Sequence, residues 1–251
     1  MATIDVNLQA VKGRIARAAA AAGRDCAAVT LLAVSKTHPA PLVAQAVRAG
    51  QLAFGENYVQ EALQKMDALA ALLGEGSPGL EWHLIGPLQS NKTRVVAERF
   101  QWVQTVDREK IARRLSEQRP TELAPLDVLL QVNVSGEATK SGLDPRDVSA
   151  LARVVAPLPR LRLRGLMAIP EPGDDAGLQR ERFRAVRELF ERLRSEGLAL
   201  DTLSMGMSED LEAAVAEGAT MVRIGTAIFG LRERGEDGGV AGGLKRERAA
   251  T

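Results

Sequence analysis

The segment LLAVSKTHPA, residues 31–40, places a lysine directly after a run of apolar residues. Residues 29–34 carry apolar side chains on both faces of an extended chain, which predicts a strand of a parallel sheet that is covered on both sides. Pro39 and Pro41 then mark a turn before an apolar helix. Lys36 is therefore either a surface cap at the strand end or a functional amine at the mouth of an α/β fold.

Strand-like and helix-like segments alternate along the whole chain. An alanine-rich helix is predicted over residues 4–22 and ends at Gly23. The predicted strands cover residues 29–35, 52–55, 82–85, 102–106, 127–134, 161–168, 202–205 and 221–229. The predicted helices between them cover residues 41–49, 56–73, 91–99, 108–118, 145–155, 177–196 and 209–217.

Eight strands in strict βα alternation within 251 residues predict an α/β protein with a single (β/α)8 TIM-type barrel and an extra N-terminal helix. A doubly wound open sheet is the alternative, but its first turn is usually rich in glycine, and here that turn is Ser-Lys-Thr-His-Pro. We expect the barrel domain to comprise residues 1–230. Residues 231–251 form a charged, glycine-rich tail that we expect to be partly disordered.

The composition excludes several classes of function. The 33 basic and 32 acidic side chains nearly cancel, and aromatic residues make up only 3%, so neither nucleic acid nor an anionic membrane is an expected partner. Cys26 is the only cysteine, and His38 and His83 are the only histidines, which argues against a disulfide or a metal site. With neither a signal peptide nor a membrane-length apolar run in the sequence, we expect a cytoplasmic protein.

The segment LSMGMSEDLEAAVAEGATMVRIGTAIFG, residues 203–230, follows the seventh predicted strand and contains the eighth. Ser208 alone can be explained as the N-cap of a helix, but this leaves Gly206 and the pair Gly225-Thr226 without a role. In (β/α)8 barrels, the loops after strands seven and eight commonly bind phosphate. Glycine lets the backbone approach an anion closely, and hydroxyls donate further hydrogen bonds. The sequence therefore predicts a phosphate site here.

A lysine that faces a phosphate site suggests pyridoxal 5′-phosphate (PLP), whose aldehyde requires an amine and whose phosphate requires an anion site. Lys36, Lys92 and Lys140 follow predicted strands, but only Lys36 directly ends an apolar one. Arg223 is predicted to point into the barrel mouth, where its guanidinium needs an acceptor. That acceptor is either a pyridine nitrogen or a carboxylate of the barrel.

Six motifs in order resemble those of the pyridoxal phosphate homeostasis protein family: AVSKTHP, FGENYVQEA, WHLIGPLQSNKTR, NVSGEATKSGL, RGLMAIP and the 203–230 segment. The resemblance runs from about residue 29 to residue 230. It implies a fold-type-III barrel, similar to the barrel domain of alanine racemase, with PLP on Lys36 as an internal aldimine. His38 and the C-terminal tail depart from the family pattern.

The same resemblance implies the other cofactor contacts. Ser208, Gly225 and Thr226 would hold the phosphate, and Arg223 would lie at the ring nitrogen. The ring pocket would be lined by three further residues: Asn57, Met205 and His83. The implied role is intracellular PLP homeostasis without efficient turnover, by a monomer that exchanges PLP with enzymes lacking it.

Two enzymatic functions are the alternatives. A PLP-dependent racemase or decarboxylase of this fold would take a second base from a tyrosine on another domain, whereas the only tyrosine here, Tyr58, lies within the predicted barrel. An arginine at the ring nitrogen also disfavours pyridine protonation and weakens the electron sink. A sugar-phosphate enzyme that uses Lys36 as a Schiff base lacks an evident acid/base pair.

Overall fold

Eight parallel strands pair in chain order and close into a barrel in the computed structural model, which describes residues 3–74, 79–135, 141–171 and 175–231. The first strand pairs with both the second and the eighth, so the barrel is closed and the open-sheet alternative is wrong. The strands are β1 (Thr30–Val34), β2 (Ala53–Glu56), β3 (Glu81–Leu84), β4 (Trp102–Val106), β5 (Leu126–Val132), β6 (Leu161–Ala168), β7 (Thr202–Ser204) and β8 (Met221–Ile224).

Helices surround the barrel in the alternation that the sequence predicts. They are α1 (Ile4–Ala21), α2 (Ala40–Arg48), α3 (Val59–Leu73), α4 (Thr93–Arg99), α5 (Glu109–Gln118), α6 (Val148–Val155), α7 (Ala176–Ser195), α8 (Leu211–Ala216) and α9 (Thr226–Phe229). The main hydrophobic core lies between the strands and these helices. Strands β4 and β5 are buried along their whole length, because one face meets this core and the other meets the barrel interior.

Helix α1 precedes the first βα unit and packs against α2, α8 and α9. Thr3 caps its N-terminus by accepting a hydrogen bond from the Val6 N–H. The Asn7 side chain donates to the carbonyl of Ile228, and Arg14 binds both carboxylate oxygens of Glu212. The extra N-terminal helix is thus confirmed, and it is attached to the last two helices of the barrel.

Several element boundaries were predicted wrongly, and two of them lie at strand ends. The predicted strand 221–229 ends at Ile224, because the backbone turns at Gly225 and the apolar residues after it form α9. The predicted helix 56–73 begins only at Val59, because Glu56 is the last residue of β2 and its side chain is buried. Helices α6 and α8 also begin two to three residues later than predicted, after turns closed by Asp144 and Asp210, respectively.

The proposed tail, residues 231–251, lies outside the described residues except for Leu231, as does the loop lysine Lys140. The division of the chain into a barrel domain and a disordered tail therefore stays a prediction. Within the described residues, no helix is long and apolar enough to cross a membrane.

Gly165 in β6 leaves no space for a side chain. Its φ is 154°, and an added Cβ would lie 1.9 Å from the Thr202 carbonyl oxygen on the neighbouring strand. Gly165→Ala should therefore lower the free energy of unfolding by about 2–6 kcal/mol through backbone strain and overpacking, as measured by urea denaturation.

Gly13→Ala is the matched control, because Gly13 lies within α1 and an added Cβ would meet only the flexible end of Arg17. This change should raise the free energy of unfolding by about 0.5–1 kcal/mol. Equal stabilities for the two variants would contradict the assignment of Gly165 to a sterically closed strand position.

Candidate functional site

A cavity of about 280 Å³ opens at the carboxyl ends of the strands. Its volume is close to the lower end of the range for small-molecule sites. Six of the eight predicted site residues line it: Lys36, Asn57, Ser208, Arg223, Gly225 and Thr226. The other lining residues are Val34, His38, Ile85, Ile169, Gln179, Met207, Glu209 and Asp210.

Lys36 reaches this cavity from the turn that follows β1. The turn is closed by a hydrogen bond from the His38 N–H to the Ser35 carbonyl, 3.1 Å. Thr37 has a φ of 64°, a left-handed conformation that is uncommon for a β-branched residue. His38 stacks on Phe229 of α9, with ring centroids 5.0 Å apart. The loop that carries the lysine is therefore held against the end of the barrel from which α9 extends.

Ser208 lies on the loop after β7, whereas Gly225 follows β8 and Thr226 is the first residue of α9. A Cβ added at Gly225 would lie 3.1 Å from the Val34 carbonyl oxygen, so glycine permits the close approach of this loop to β1. The side-chain hydroxyls of Ser208 and Thr226 have no hydrogen-bond partner among the described residues. They are available to a ligand that accepts hydrogen bonds.

The loop that carries Ser208 is fixed by a hydrogen bond from α1 and by another within the loop region itself. Arg14 of α1 donates to the Ser208 carbonyl at 2.5 Å, and the Met207 N–H donates to Asp210 at the same distance. The residue that precedes α8 is Asp210, so Ser208 is not the N-cap of that helix. The N-cap explanation of Ser208 is therefore wrong, and its hydroxyl is not used to cap α8.

Arg223 is almost completely buried, yet none of the described carboxylates forms an ion pair with it. Its guanidinium donates to the Ser204 hydroxyl and to the Ala168 carbonyl, both at 2.8 Å. Burial lowers the pKa of Arg223 to about 10, and the nearby Asp210 carboxylate opposes this change. The group remains charged at neutral pH. The prediction that a carboxylate of the barrel accepts from Arg223 is therefore wrong.

His83 and Met205 are not among the residues that line the cavity. Met205 is fully buried in the main hydrophobic core. His83 lies in the barrel interior, where its ring stacks on Trp102 with centroids 5.0 Å apart. Burial lowers the pKa of His83, which favours the neutral imidazole. As direct cofactor contacts, these two residues stay predictions that the cavity does not support.

A chain of hydrogen bonds nevertheless connects His83 to the cavity. The Arg223 guanidinium donates to Ser204, the Ser204 hydroxyl donates to Gln104 at 2.7 Å, and the Gln104 amide lies 2.9 Å from His83 Nδ1. Each of these side chains is buried. The polar interior of the barrel thus serves to position Arg223.

The chemistry of the lining residues fits PLP. The buried Oδ1 of Asn57 lacks a hydrogen-bond partner within the described structure, which is costly unless a ligand supplies a donor. The Arg223 guanidinium suits a neutral ring nitrogen, and the two hydroxyl-bearing loops suit a phosphate. Lys36 supplies the primary amine. A metal site has no comparable support, since the described residues contain no cluster of metal-binding side chains.

Sequence reasoning missed several residues of the cavity wall, among them His38, Gln179 and Asp210. His38 and Asp210 lie two or more residues beyond a strand, and Gln179 lies inside α7. Because His38 and Asp210 follow strand ends, their positions in the sequence could have suggested them. Nothing in the sequence pattern distinguishes Gln179 from the other polar residues of its helix.

Residues 6–233 match the family model of the alanine racemase N-terminal domain. The pyridoxal phosphate homeostasis protein of Pseudomonas aeruginosa is 61% identical over 235 residues, which cover 94% of this chain and 98% of that protein. The protein of the same name from Escherichia coli K12 is 55% identical over 227 residues, with coverages of 90% and 96%.

Among solved structures, PipY of Synechococcus elongatus with PLP bound is 37% identical, with a TM-score of 0.79. That match covers 91% of this chain and 100% of PipY. An alanine racemase from Clostridium difficile is 14% identical with a TM-score of 0.63, a likeness of fold alone. On these matches and the closed barrel, the chain belongs to the pyridoxal phosphate homeostasis protein family, within the fold of the alanine racemase N-terminal domain.

Proposed function

We propose that this protein binds PLP at the barrel mouth and serves PLP homeostasis. One observation carries the proposal: Lys36, the buried Arg223 and the hydroxyls of Ser208 and Thr226 line the same cavity. This set offers an amine, a cationic hydrogen-bond donor and an anion site to a single ligand. The family relatives that carry this name, and the PLP-bound PipY structure, support the same ligand.

Each lining residue has a defined task in this proposal. Bound PLP supplies an aldehyde that bonds to a primary amine, and Lys36 provides that amine. Ser208, Gly225 and Thr226 bind the phosphate through hydroxyl and backbone groups. Asn57 accepts a hydrogen bond beside the ring through its otherwise unpaired Oδ1. Arg223 donates to the ring nitrogen and keeps it unprotonated, because a neighbouring positive charge disfavours a second one.

We propose further that the protein is not an efficient enzyme. An unprotonated ring nitrogen stabilises negative charge at a substrate carbon poorly. Tyr58 is 60% exposed and does not line the cavity, so it is poorly placed to move a proton at a bound substrate. Of the two acidic residues in the wall, Asp210 already accepts the Met207 N–H, which leaves Glu209 as the carboxylate to test.

The working form that we propose is a cytoplasmic monomer that passes PLP to enzymes lacking it. One copy of the chain carries the amine, the arginine and the hydroxyls of the anion site in one cavity, so none of these groups has to come from a second copy. The near balance of 33 basic and 32 acidic residues offers no strong field toward a membrane or nucleic acid.

Lys36→Ala should abolish covalent attachment of PLP, because no other lysine lines the cavity within the described structure. Purified protein incubated with PLP should gain a visible absorption band, and borohydride should fix the cofactor onto the peptide that contains Lys36. Lys92→Ala is the matched control, since Lys92 follows β3 but does not line the cavity. A colourless wild-type protein, or equal labelling of both variants, would contradict the assignment.

Ser208→Ala and Thr226→Val should each weaken PLP binding about 10- to 150-fold, because a hydrogen bond to a charged group contributes roughly 1.5–3 kcal/mol. Unphosphorylated pyridoxal lacks the phosphate group. Its weak affinity should therefore be the same for the variants and for the wild type. Titration of both ligands by absorbance measures the two effects. Equal losses for the two ligands would mean that these residues only support the fold.

Incubation with L-alanine in deuterated water should show little deuterium at Cα and almost no D-alanine. Racemisation requires two positioned acid/base groups, and the described wall offers His38 and Glu209 as candidates for the second. Mass spectrometry and chiral chromatography measure the two products. Deuterium uptake over many turnovers that disappears in Glu209→Gln or in His38→Gln would make the protein a racemase-type enzyme.

A further inference from the structure

A buried cluster of charges lies behind the loop that carries Lys36. The ammonium group of Lys65 in α3 donates to Glu56 Oε1 at 2.5 Å, to Glu61 Oε1 at 2.9 Å and to the Ser35 carbonyl at 2.6 Å. The side chains of Lys65 and Glu56 are 4% and 0% exposed, respectively. All three donors of the ammonium group are used, and the cluster lies outside the cavity wall.

This cluster holds the backbone on both sides of Lys36. The peptide unit before Lys36 is fixed through the Ser35 carbonyl, and the Ser35 hydroxyl donates to Glu56 at 2.6 Å. The peptide unit after Lys36 is fixed because the Thr37 N–H donates to Glu61 at 2.5 Å. Both peptide planes next to the Lys36 Cα are therefore set by one group of side chains.

Stability alone does not account for such a cluster. Burial of a lysine and a carboxylate costs several kcal/mol of desolvation per ion, and well-packed apolar residues often replace such pairs without loss. Burial raises the pKa of Glu56, with Lys65 acting against this change, and Glu56 Oε2 has no partner within the described structure. The left-handed Thr37 is a further local cost that the surrounding contacts must offset.

We propose that Lys65, Glu56 and Glu61 are positioning residues that orient the Lys36 amine toward the aldehyde of its ligand. This inference rests on the proposed function. In the step concerned, the neutral Lys36 Nζ adds to the aldehyde carbon, a C=N bond replaces the C=O bond and one water molecule leaves. The cluster touches none of these atoms; it acts through the two peptide units that it fixes.

Glu61 is the residue to change, because its side chain is 31% exposed and its loss should not prevent folding. Glu61→Ala removes the acceptor of the Thr37 N–H and should slow the appearance of the visible PLP band about 10- to 100-fold in stopped-flow absorbance, since small misplacements of a reacting group have effects of this size. Glu61→Gln keeps an acceptor oxygen and should restore most of the rate.

Two controls separate positioning from general damage. Glu109→Ala removes a carboxylate with the same i,i+4 helical pairing, to Arg113 on the exposed face of α5, and should leave the rate unchanged. Pyridoxine 5′-phosphate carries an alcohol in place of the aldehyde and cannot bond to Lys36, so its affinity should be the same for wild type and Glu61→Ala.

A wild-type rate in Glu61→Ala would overturn the inference, and so would an equal loss of pyridoxine 5′-phosphate affinity, which would indicate a structural role only. Failure of Glu61→Gln to restore the rate would show that the Thr37 hydrogen bond is not the means of positioning and would also overturn it. Absence of any visible band in wild-type protein is distinguishable from these results. It would overturn the proposed function, and this inference with it.

Discussion

The pairing of β1 with β8 is the contact on which the rest of the site depends. In this pairing Leu32 lies opposite Arg223 and Ala33 lies opposite Ile224. These strands are about 190 residues apart in the chain, yet their carboxyl ends carry the amine and the arginine of one cavity. The backbone hydrogen bonds between these two parallel strands thus set the spacing between the Lys36 amine and the Arg223 guanidinium. No long flexible segment is needed to bring them together.

Closure of the barrel by β1 and β8 also determines which groups surround Arg223. A barrel of this size has its interior filled by side chains, so a buried guanidinium must find acceptors among them. Arg223 meets this need with a hydroxyl and a carbonyl rather than with a carboxylate. No described carboxylate forms an ion pair with it, and a ligand atom with a lone pair gains from contact with its charge. The same buried hydrogen bonds that position the group also preserve its attraction for a ligand.

Much of this arrangement could be predicted from the sequence, because apolar runs and their helical partners identify the strands and parallel strands bring their ends together. Lys36, Ser208 and Thr226 lie two to four residues after the ends of β1, β7 and β8, and the structure brings them to one cavity. The burial of Glu56 could not be predicted, since its partner Lys65 is two turns into the next helix. The interior place of His83 depends on the stagger of the strands, which local periodicity does not encode. The apolar residues after Gly225 fit a strand as well as a helix, and only packing distinguishes the two.

The position of α1 has a consequence for the order in which the site forms. The first helix of the chain is made first during synthesis, but its partners, the Ser208 carbonyl and the Ile228 carbonyl, are made about 200 residues later. Contacts across about 200 residues carry a loop-closure cost that is met only when the intervening strands have paired. A chain that stops before β8 lacks the Ile228 partner of α1, and it lacks Gly225 and Thr226 of the anion site. Occupancy by an anionic ligand therefore favours chains in which the first helix has met the last two helices of the barrel.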